Sequence, residues 1–506
     1  LHNLLFVGSC AIFMTALFNL LFALFAYPRL IKPLLMVIVL TAASASYFID
    51  NYSVHIDTSM LQNMLETNRH EAGELISTGF LLHMLVWGIL PAFLICRIQL
   101  NSRQWRSQII INTFSVTMSI LAIGLSVAYF YQDYASTVRN HRELRYLLNP
   151  TSYIYAASKM TGKYFSAEEK PLIPISQLAL PGIYATSKVH RTVTVMVVGE
   201  TARAEQFHFN GYSRQTTPNL ESQPVINFDR VSSCGTATAV SLPCMFSMFP
   251  RDNYDDDKGH GYETVLDVVA NAGTPVVWLE NSSGCKGVCD RVTEQKVDDL
   301  QLPEVCNDDG CYDEVLLHQL KQVVAEQKGD VFVVLHQNGS HGPAYYKRVP
   351  DNFKQFSPEC TTAELQECSQ DEITNAYDNT ILYTDYVLSG IIDYLHDLSV
   401  ADTDTAMLYV SDHGESLGEH NLYLHGTPYF MAPSQQTHVP MMLWLSDNFR
   451  RDYQLDGQCL RSQQHDALSH DNIFHSLLGL LDIRLPEIYN ADLDIVSGCR
   501  QNTPSI

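Results

Sequence analysis

Hydrophobic residues along this chain fall into two regimes. Up to about residue 131 they come in long stretches, at 4–26, 30–49, 75–96 and 109–131. Each is near the ~20 residues that an α-helix needs to cross a bilayer. Four such stretches in series have no polar face to turn toward water, so buried core helices are the weaker reading. From about 190 the runs shorten and alternate with amphipathic segments. Apolar runs rich in β-branched residues occupy 192–198 (TVTVMVV), 275–279, 330–335 and 406–410, with 439–445 less regular. Between them, 239–249, 261–272, 312–327, 371–397 and 469–482 carry helical spacing. This alternation predicts a mostly parallel sheet with helices on both faces. In such sheets functional residues gather at the carboxyl ends of strands. The intervening 131–190, rich in Tyr and broken by Pro150, Pro171, Pro174 and Pro181, predicts short helices on a membrane surface and then an extended linker. The expected domains are a transmembrane part at 1–131, an interfacial part at 132–190 and a catalytic-type domain at 191–506.

Charge sets an orientation. Arg29 and Lys32 lie between the first and second stretches, and Arg97, Arg103 and Arg106 between the third and fourth. Both loops should be cytoplasmic, whereas the acidic loop from Asp50 to Glu74 should lie outside, with the domain after the fourth stretch. By the same parity Leu1 lies outside, which leads us to expect one further span ahead of it. The net charge of −23 argues against nucleic acid as a partner, because phosphate binding needs clustered Lys and Arg. Of twelve cysteines, Cys10 and Cys96 fall in the apolar stretches. The other ten suit an oxidising compartment. Their simplest pairing is Cys234–Cys244, Cys285–Cys289, Cys306–Cys311, Cys360–Cys368 and Cys459–Cys499. A zinc-ribbon arrangement would need a repeated CxxC, which is absent.

Three strand ends carry metal-ligand chemistry. The 192–198 run leads into Gly199-Glu200-Thr201, the 330–335 run into His336 and then His341, and the 406–410 run into Ser411-Asp412-His413, with His425 twelve residues on. Carboxylate oxygen and imidazole nitrogen are both zinc ligands. Any one of these residues alone reads as a helix cap or a surface group; three together at strand ends do not. A fourth element is Cys234-Gly235-Thr236-Ala237-Thr238, which opens the 239–249 helix. A threonine at a helix N-terminus is commonly only a cap. Beside a divalent cation it can be a nucleophile, because the ion lowers the cost of its alkoxide and the helix start suits a phosphoryl oxygen. From this pattern alone Thr236 and Thr238 are equal competitors.

With these residues in hand, the chain resembles the lipid A phosphoethanolamine transferases, the EptA-like family that includes the mobile colistin resistance enzymes. The resemblance rests on Val198 to Arg203 (VGETAR), the CGTAT and PCMFS segments within 234–247, His336 to Tyr345 (HQNGSHGPAY) and Ser411 to Glu419 (SDHGESLGE). It implies a membrane α-helical domain, of five spans in the family against four here, joined to an α/β/α sandwich of alkaline-phosphatase/sulfatase type. It implies a zinc site of Glu200, Thr238, Asp412 and His413, with Thr238 as the nucleophile that becomes phosphoethanolamine-modified. His341 and His425 are implied as contacts to substrate phosphate or to a second metal ion, and Lys286 as a cation near that phosphate. Asn63, Thr67 and Glu71 match an ethanolamine-contacting segment, and their spacing of four places them on one helix face. Ser282 stands where some members carry Asn, so that part of the pocket departs from the family pattern. His336, His420, His438, His465 and His470 are read as structural or surface residues, His336 being the foremost exception.

The implied activity is transfer of phosphoethanolamine from phosphatidylethanolamine to a lipid A phosphate, by a monomer in a Gram-negative inner membrane with its catalytic domain in the periplasm. Polymyxin resistance is a corollary of the family. The rival activities are a sulfatase, a metal phosphatase or phosphodiesterase, a transferase acting on core sugars or Kdo, and a non-catalytic sensor. A sulfatase needs a Cys-x-Pro-x-Arg or Ser-x-Pro-x-Arg motif, and neither occurs.

Overall fold

The computed structural model describes residues 2–501 except 24, 28, 55, 68, 101–103, 141–145, 147, 167–170, 298–301 and 308; the side chains of 69–71 and 163–166 are likewise outside the described set. The chain divides into two compact units, Leu1–Asn51 with Ile76–Lys159, and Tyr52–Leu75 with Met160–Ile506.

Among the described residues, four helical stretches are long and apolar enough to cross a membrane: His2–Ala23, Ile31–Tyr52, Thr78–Arg97 and Trp105–Tyr129. All four correspond to the apolar stretches of the sequence. The first and last pack together, and Asn19 Nδ2 donates to Ser115 Oγ at 2.7 Å and to Ser119 Oγ at 2.8 Å. Such hydrogen bonds hold helices together where lipid supplies no hydrophobic drive for association. The third contains a π-helical turn, Met84–Ile89, where Gly88 faces Ala43 closely enough that a Cβ would sit 3.3 Å from the alanine methyl.

The second unit is built on an eight-stranded sheet. In chain order its strands are β1 (Arg191–Gly199), β2 (Ile226–Ser232), β3 (Val276–Glu280), β4 (Thr293–Lys296), β5 (Val331–His336), β6 (Thr403–Ser411), β7 (His438–Leu445) and β8 (Leu468–Ser469). The spatial order is β8-β2-β7-β6-β1-β5-β3-β4. β1 lies at the centre, parallel to β6 and β5. β7 is antiparallel to both β6 and β2, so the sheet is mixed toward that edge. Val193, Val195 and Val197 enter one hydrophobic cluster while Met196 and Val198 enter the other. Burial on both faces explains why β1 reads as a continuous apolar run rather than an alternating one. The helices Thr238–Met245, Val265–Asn271, Glu314–Glu326, Gln370–Val400 and Asp471–Leu480 occupy the five expected segments. β2 and β4 were not expected. β2 carries Asn227, Asp229 and Arg230 and is only half-buried, so its polar positions mask its extended pattern. The ten cysteines of this unit form five disulfides, Cys234–Cys244, Cys285–Cys289, Cys306–Cys311, Cys360–Cys368 and Cys459–Cys499.

Candidate metal and phosphoryl-transfer site

Glu200 follows β1 directly, Asp412 and His413 follow β6, and β1 and β6 are paired neighbours. All three side chains are fully buried. The turn after β1 is tight: Thr201 sits at φ +53°, and its N–H donates to Asp412 Oδ1 at 3.2 Å. Thr238 is the first residue of the helix Thr238–Met245, and the Cys234–Cys244 bridge ties the loop before that helix to its last turn.

These elements bring four donor groups together. Thr238 Oγ1 donates to Glu200 Oε2 at 3.1 Å and lies 3.3 Å from His413 Nε2. His413 Nε2 lies 3.3 Å from Asp412 Oδ2 and 3.5 Å from Glu200 Oε1. With bonds of about 2.0–2.1 Å, neighbouring ligands of a tetrahedral ion stand about 3.3 Å apart, so these spacings suit a single divalent cation. The hydrogen bonds point the same way. Asp412 Oδ1 accepts from the N–H groups of His413 (2.7 Å) and Thr201, while the buried Oδ2 accepts no hydrogen bond. His413 Nδ1 donates to Gly414 O at 2.8 Å, which leaves the Nε2 lone pair facing the carboxylates. Burial pushes the His413 imidazole down to about 4, so near neutral pH it is in the neutral form that binds metals.

The two competing threonines separate here. Thr236 Oγ1 donates to Thr427 O at 2.7 Å and holds the 425–427 loop; Thr238 alone of the pair joins the cluster. The His425 ring lies 4.5 Å from the His413 ring, tilted by 47°, His341 lies 5.5 Å from His425, and Glu415 Oε2 holds His425 Nδ1 at 3.1 Å. Both histidines therefore stand beside the cluster. Lys286 is less direct, its Nζ donating to Ser283 O at 2.8 Å and to Glu66 O at 3.2 Å. The helix Thr58–Glu66, which carries Asn63, packs against Thr238–Met245. The single helix face expected for Asn63, Thr67 and Glu71 does not form. Thr67 turns extended (ψ 134°) and its Oγ1 donates to Asn63 O at 2.7 Å, so the helix ends and a separate one runs from Arg69 to Glu74. The Glu71 side chain lies outside the described residues.

Two supporting groups were underrated by the sequence reading. His336 Nδ1 is 2.9 Å from Glu280 Oε2, and its Nε2 is 3.9 Å from Glu200 Oε2. Burial alone would raise the Glu280 carboxyl, but His336, Trp278 Nε1 and the Ser282 N–H together bring it below the usual range. Glu280 and His336 are register partners at the ends of β3 and β5, so the strand-end rule that found Glu200 also points to Glu280. His470 is the second. It is buried, and it bridges Cys234 N (3.1 Å) and Ser411 O (2.9 Å).

A helix-covered sheet whose central strand ends deliver a carboxylate and an Asp-His pair to a helix-first threonine is an alkaline-phosphatase/sulfatase-type catalytic domain, a metal-dependent class. The sulfatase family matches residues 192–483, and the family described as "Phosphoethanolamine transferase EptA/EptB" matches residues 14–165. The phosphoethanolamine transferase EptA of Escherichia coli K12 is 41% identical over 503 residues, 99% of this chain and 91% of that protein. The phosphatidylethanolamine transferase Mcr-1 of E. coli is 36% identical, over 96% of this chain and 90% of its own length. The solved integral membrane phosphoethanolamine transferase EptA of Neisseria meningitidis superposes with a TM-score of 0.94 at 38% identity, covering 98% of this chain and 92% of that one. The chain belongs to the EptA/Mcr phosphoethanolamine transferase family and is an enzyme of the transferase class.

Proposed function

We propose that this enzyme transfers phosphoethanolamine from phosphatidylethanolamine to a lipid A phosphate through a covalent intermediate on Thr238. The observation that carries the reading is the convergence of Glu200, Thr238, Asp412 and His413 in one buried cluster. Glu200, Asp412, His413 and the Thr238 hydroxyl would hold one zinc ion, which would supply Lewis-acid stabilisation of negative charge on oxygen. A second ion, if present, falls to His341 and His425.

In the first displacement Thr238 Oγ1 attacks the phosphorus of phosphatidylethanolamine. Its proton is held on Glu200 Oε2 and leaves on the oxygen of the departing diacylglycerol. The Thr238 helix start offers N–H donors to the phosphoryl oxygens, with His341 and His425 beside them. In the second displacement a lipid A phosphate oxygen attacks the phosphorus of the Thr238 phosphodiester, the P–Oγ1 bond breaks, and the proton released by the attacking phosphate monoester returns by way of Glu200 Oε2 to Thr238 Oγ1. The Asn63-bearing helix and Lys286 form the headgroup side of the pocket. Each turnover adds an amine to an anionic headgroup, which weakens its attraction for cationic peptides such as polymyxins.

We read residues 1–131 as the inner-membrane domain of a Gram-negative cell, 132–190 as interfacial and 191–506 as a periplasmic catalytic domain, acting as a monomer. The five disulfides support an oxidising compartment. Mass spectrometry of the purified enzyme after incubation with phosphatidylethanolamine tests the mechanism. The expected product carries phosphoethanolamine on Thr238; modification of Thr236 with Thr238 bare would overturn it. Lipid A from cells expressing the enzyme should gain phosphoethanolamine, whereas gain on core sugars or Kdo alone would reassign the acceptor.

A further inference from the structure

The opposite end of the same central strands carries a second cluster. His190 immediately precedes β1, Asp404 is the second residue of β6, and Asp452 ends the helix Asp447–Asp452. His190 and Glu200 lie ten positions apart on an extended strand, roughly 30 Å, so the two clusters are separate sites. His190 Nδ1 lies 3.0 Å from Asp452 Oδ2 and 3.5 Å from Asp404 Oδ1. One donor atom from each of the three residues falls within 4.8 Å of the others. As at the catalytic cluster, these spacings bracket the ~3.3 Å between neighbouring ligands of a tetrahedral zinc-class ion.

The independent observation is Asp404. Its side chain is 0% exposed, neither oxygen accepts a hydrogen bond from an N–H or a hydroxyl, and its partners are the His190 ring at 3.5 Å and the Asp452 carboxyl. A buried carboxylate with no hydrogen bond is costly unless a charge compensates it. Lys188 Nζ, which also acts on Asp404, donates to Asp330 Oδ1 (2.5 Å) and to Thr192 Oγ1 (2.6 Å), and the exposed Arg451 brings its Nε to 3.6 Å from the other Asp452 oxygen. The His190 and Asp452 side chains are 19% and 10% exposed, which leaves a route for an ion and a fourth, water ligand.

We propose that His190, Asp404 and Asp452 form a second divalent-cation site, for a borderline metal such as zinc, that ties the starts of β1 and β6 to the helix Asp447–Asp452. Its role is structural. It neutralises Asp404 and anchors the strands whose far ends carry Glu200, Asp412 and His413.

The test is metal stoichiometry of the full-length protein in detergent, loaded with zinc sulfate, freed of excess ion and measured by mass spectrometry of the metal. Wild type should hold one more zinc than Asp404→Asn. A variant with Asp412→Asn and His413→Ala should still hold one zinc, lost when Asp404→Asn is added, and zinc should raise its melting temperature only while Asp404 is intact. His190→Ala, at a partly exposed position, should lose the same single equivalent, and it decides the matter if Asp404→Asn does not fold. Unchanged zinc content in both His190→Ala and Asp404→Asn would overturn the site and leave the cluster as a carboxylate pair sharing a proton.

Discussion

His470 supplies the sharpest thermodynamic test of how the Glu200, Asp412 and His413 cluster is held together. Its Nδ1 accepts the Cys234 N–H and its Nε2 donates to Ser411 O, so it joins the loop before Thr238 to the loop carrying Asp412. Both bonds require the neutral ring with its proton on Nε2. Protonating Nδ1 would turn it toward the Cys234 N–H as a second donor, inside a fully buried site. Burial is the principal reason the imidazole falls from the usual 6.5 to about 4, against smaller opposing contributions from Ser411 O and Asp412. The unfolded chain therefore binds a proton that the folded chain refuses between those two values. Stability contributed by His470 is complete above about pH 6.5 and is lost as pH falls toward 4, by roughly 3 kcal/mol in total. His475, also held near 4 by burial, titrates in the same window, so the comparison must be with His470→Gln. That variant keeps a donor and an acceptor but cannot titrate. At pH 7 it should be less stable than wild type by about 1–2 kcal/mol, from poorer hydrogen-bond geometry. Its disadvantage should shrink steadily below pH 6 and vanish near pH 5. The assay is urea denaturation of zinc-loaded protein in detergent at half-unit pH steps, followed by tryptophan fluorescence. Parallel pH profiles for the two proteins would refute the reasoning.

Two further substitutions probe the parts of the site that support its ligands. Glu280→Gln removes the carboxylate that holds His336 Nδ1, and with it the group that orients His336 toward Glu200. Zinc affinity, measured by competition with a chromogenic chelator, should fall about 10–100-fold, and unchanged affinity would show that Glu280 does not act through His336. Gly339→Ala places a methyl 2.6 Å from Glu200 O, at a residue whose φ is +54°. Backbone cannot yield to that contact, so the variant should lose about 2–4 kcal/mol and shift Glu200; a wild-type melting temperature would count against the close approach.

What could be read from the chain, and what could not, divides by the range of the interaction that carries it. The spans and central strands were legible because their signal is local: β1 and β6 are buried on both faces, so their residues must be apolar in sequence. Glu200, Asp412 and His413 were legible for the complementary reason, as charged groups standing where such runs stop. The choice between Thr236 and Thr238 was open on pattern alone, since it depends on Thr427 O, 191 residues away, taking one hydroxyl. His470 bridges segments 236 and 59 residues distant, and no periodicity encodes that. The error at Thr67 has a related origin. A spacing of four is evidence for a helix face only if the helix persists, and a threonine hydroxyl can take the carbonyl at i−4 and let the chain leave. The same logic explains why the His190 cluster escaped a reading organised around carboxyl ends of strands. Two of its residues sit at the starts of β1 and β6 and the third at a helix end, where that rule does not look, and the burial of Asp404 without an N–H or hydroxyl donor marks it out. One sheet thus sets both clusters: parallel pairing of β1 with β6 aligns Glu200 with Asp412 at one end, and at the other it puts Asp404 opposite Thr192, two positions along the strand from His190.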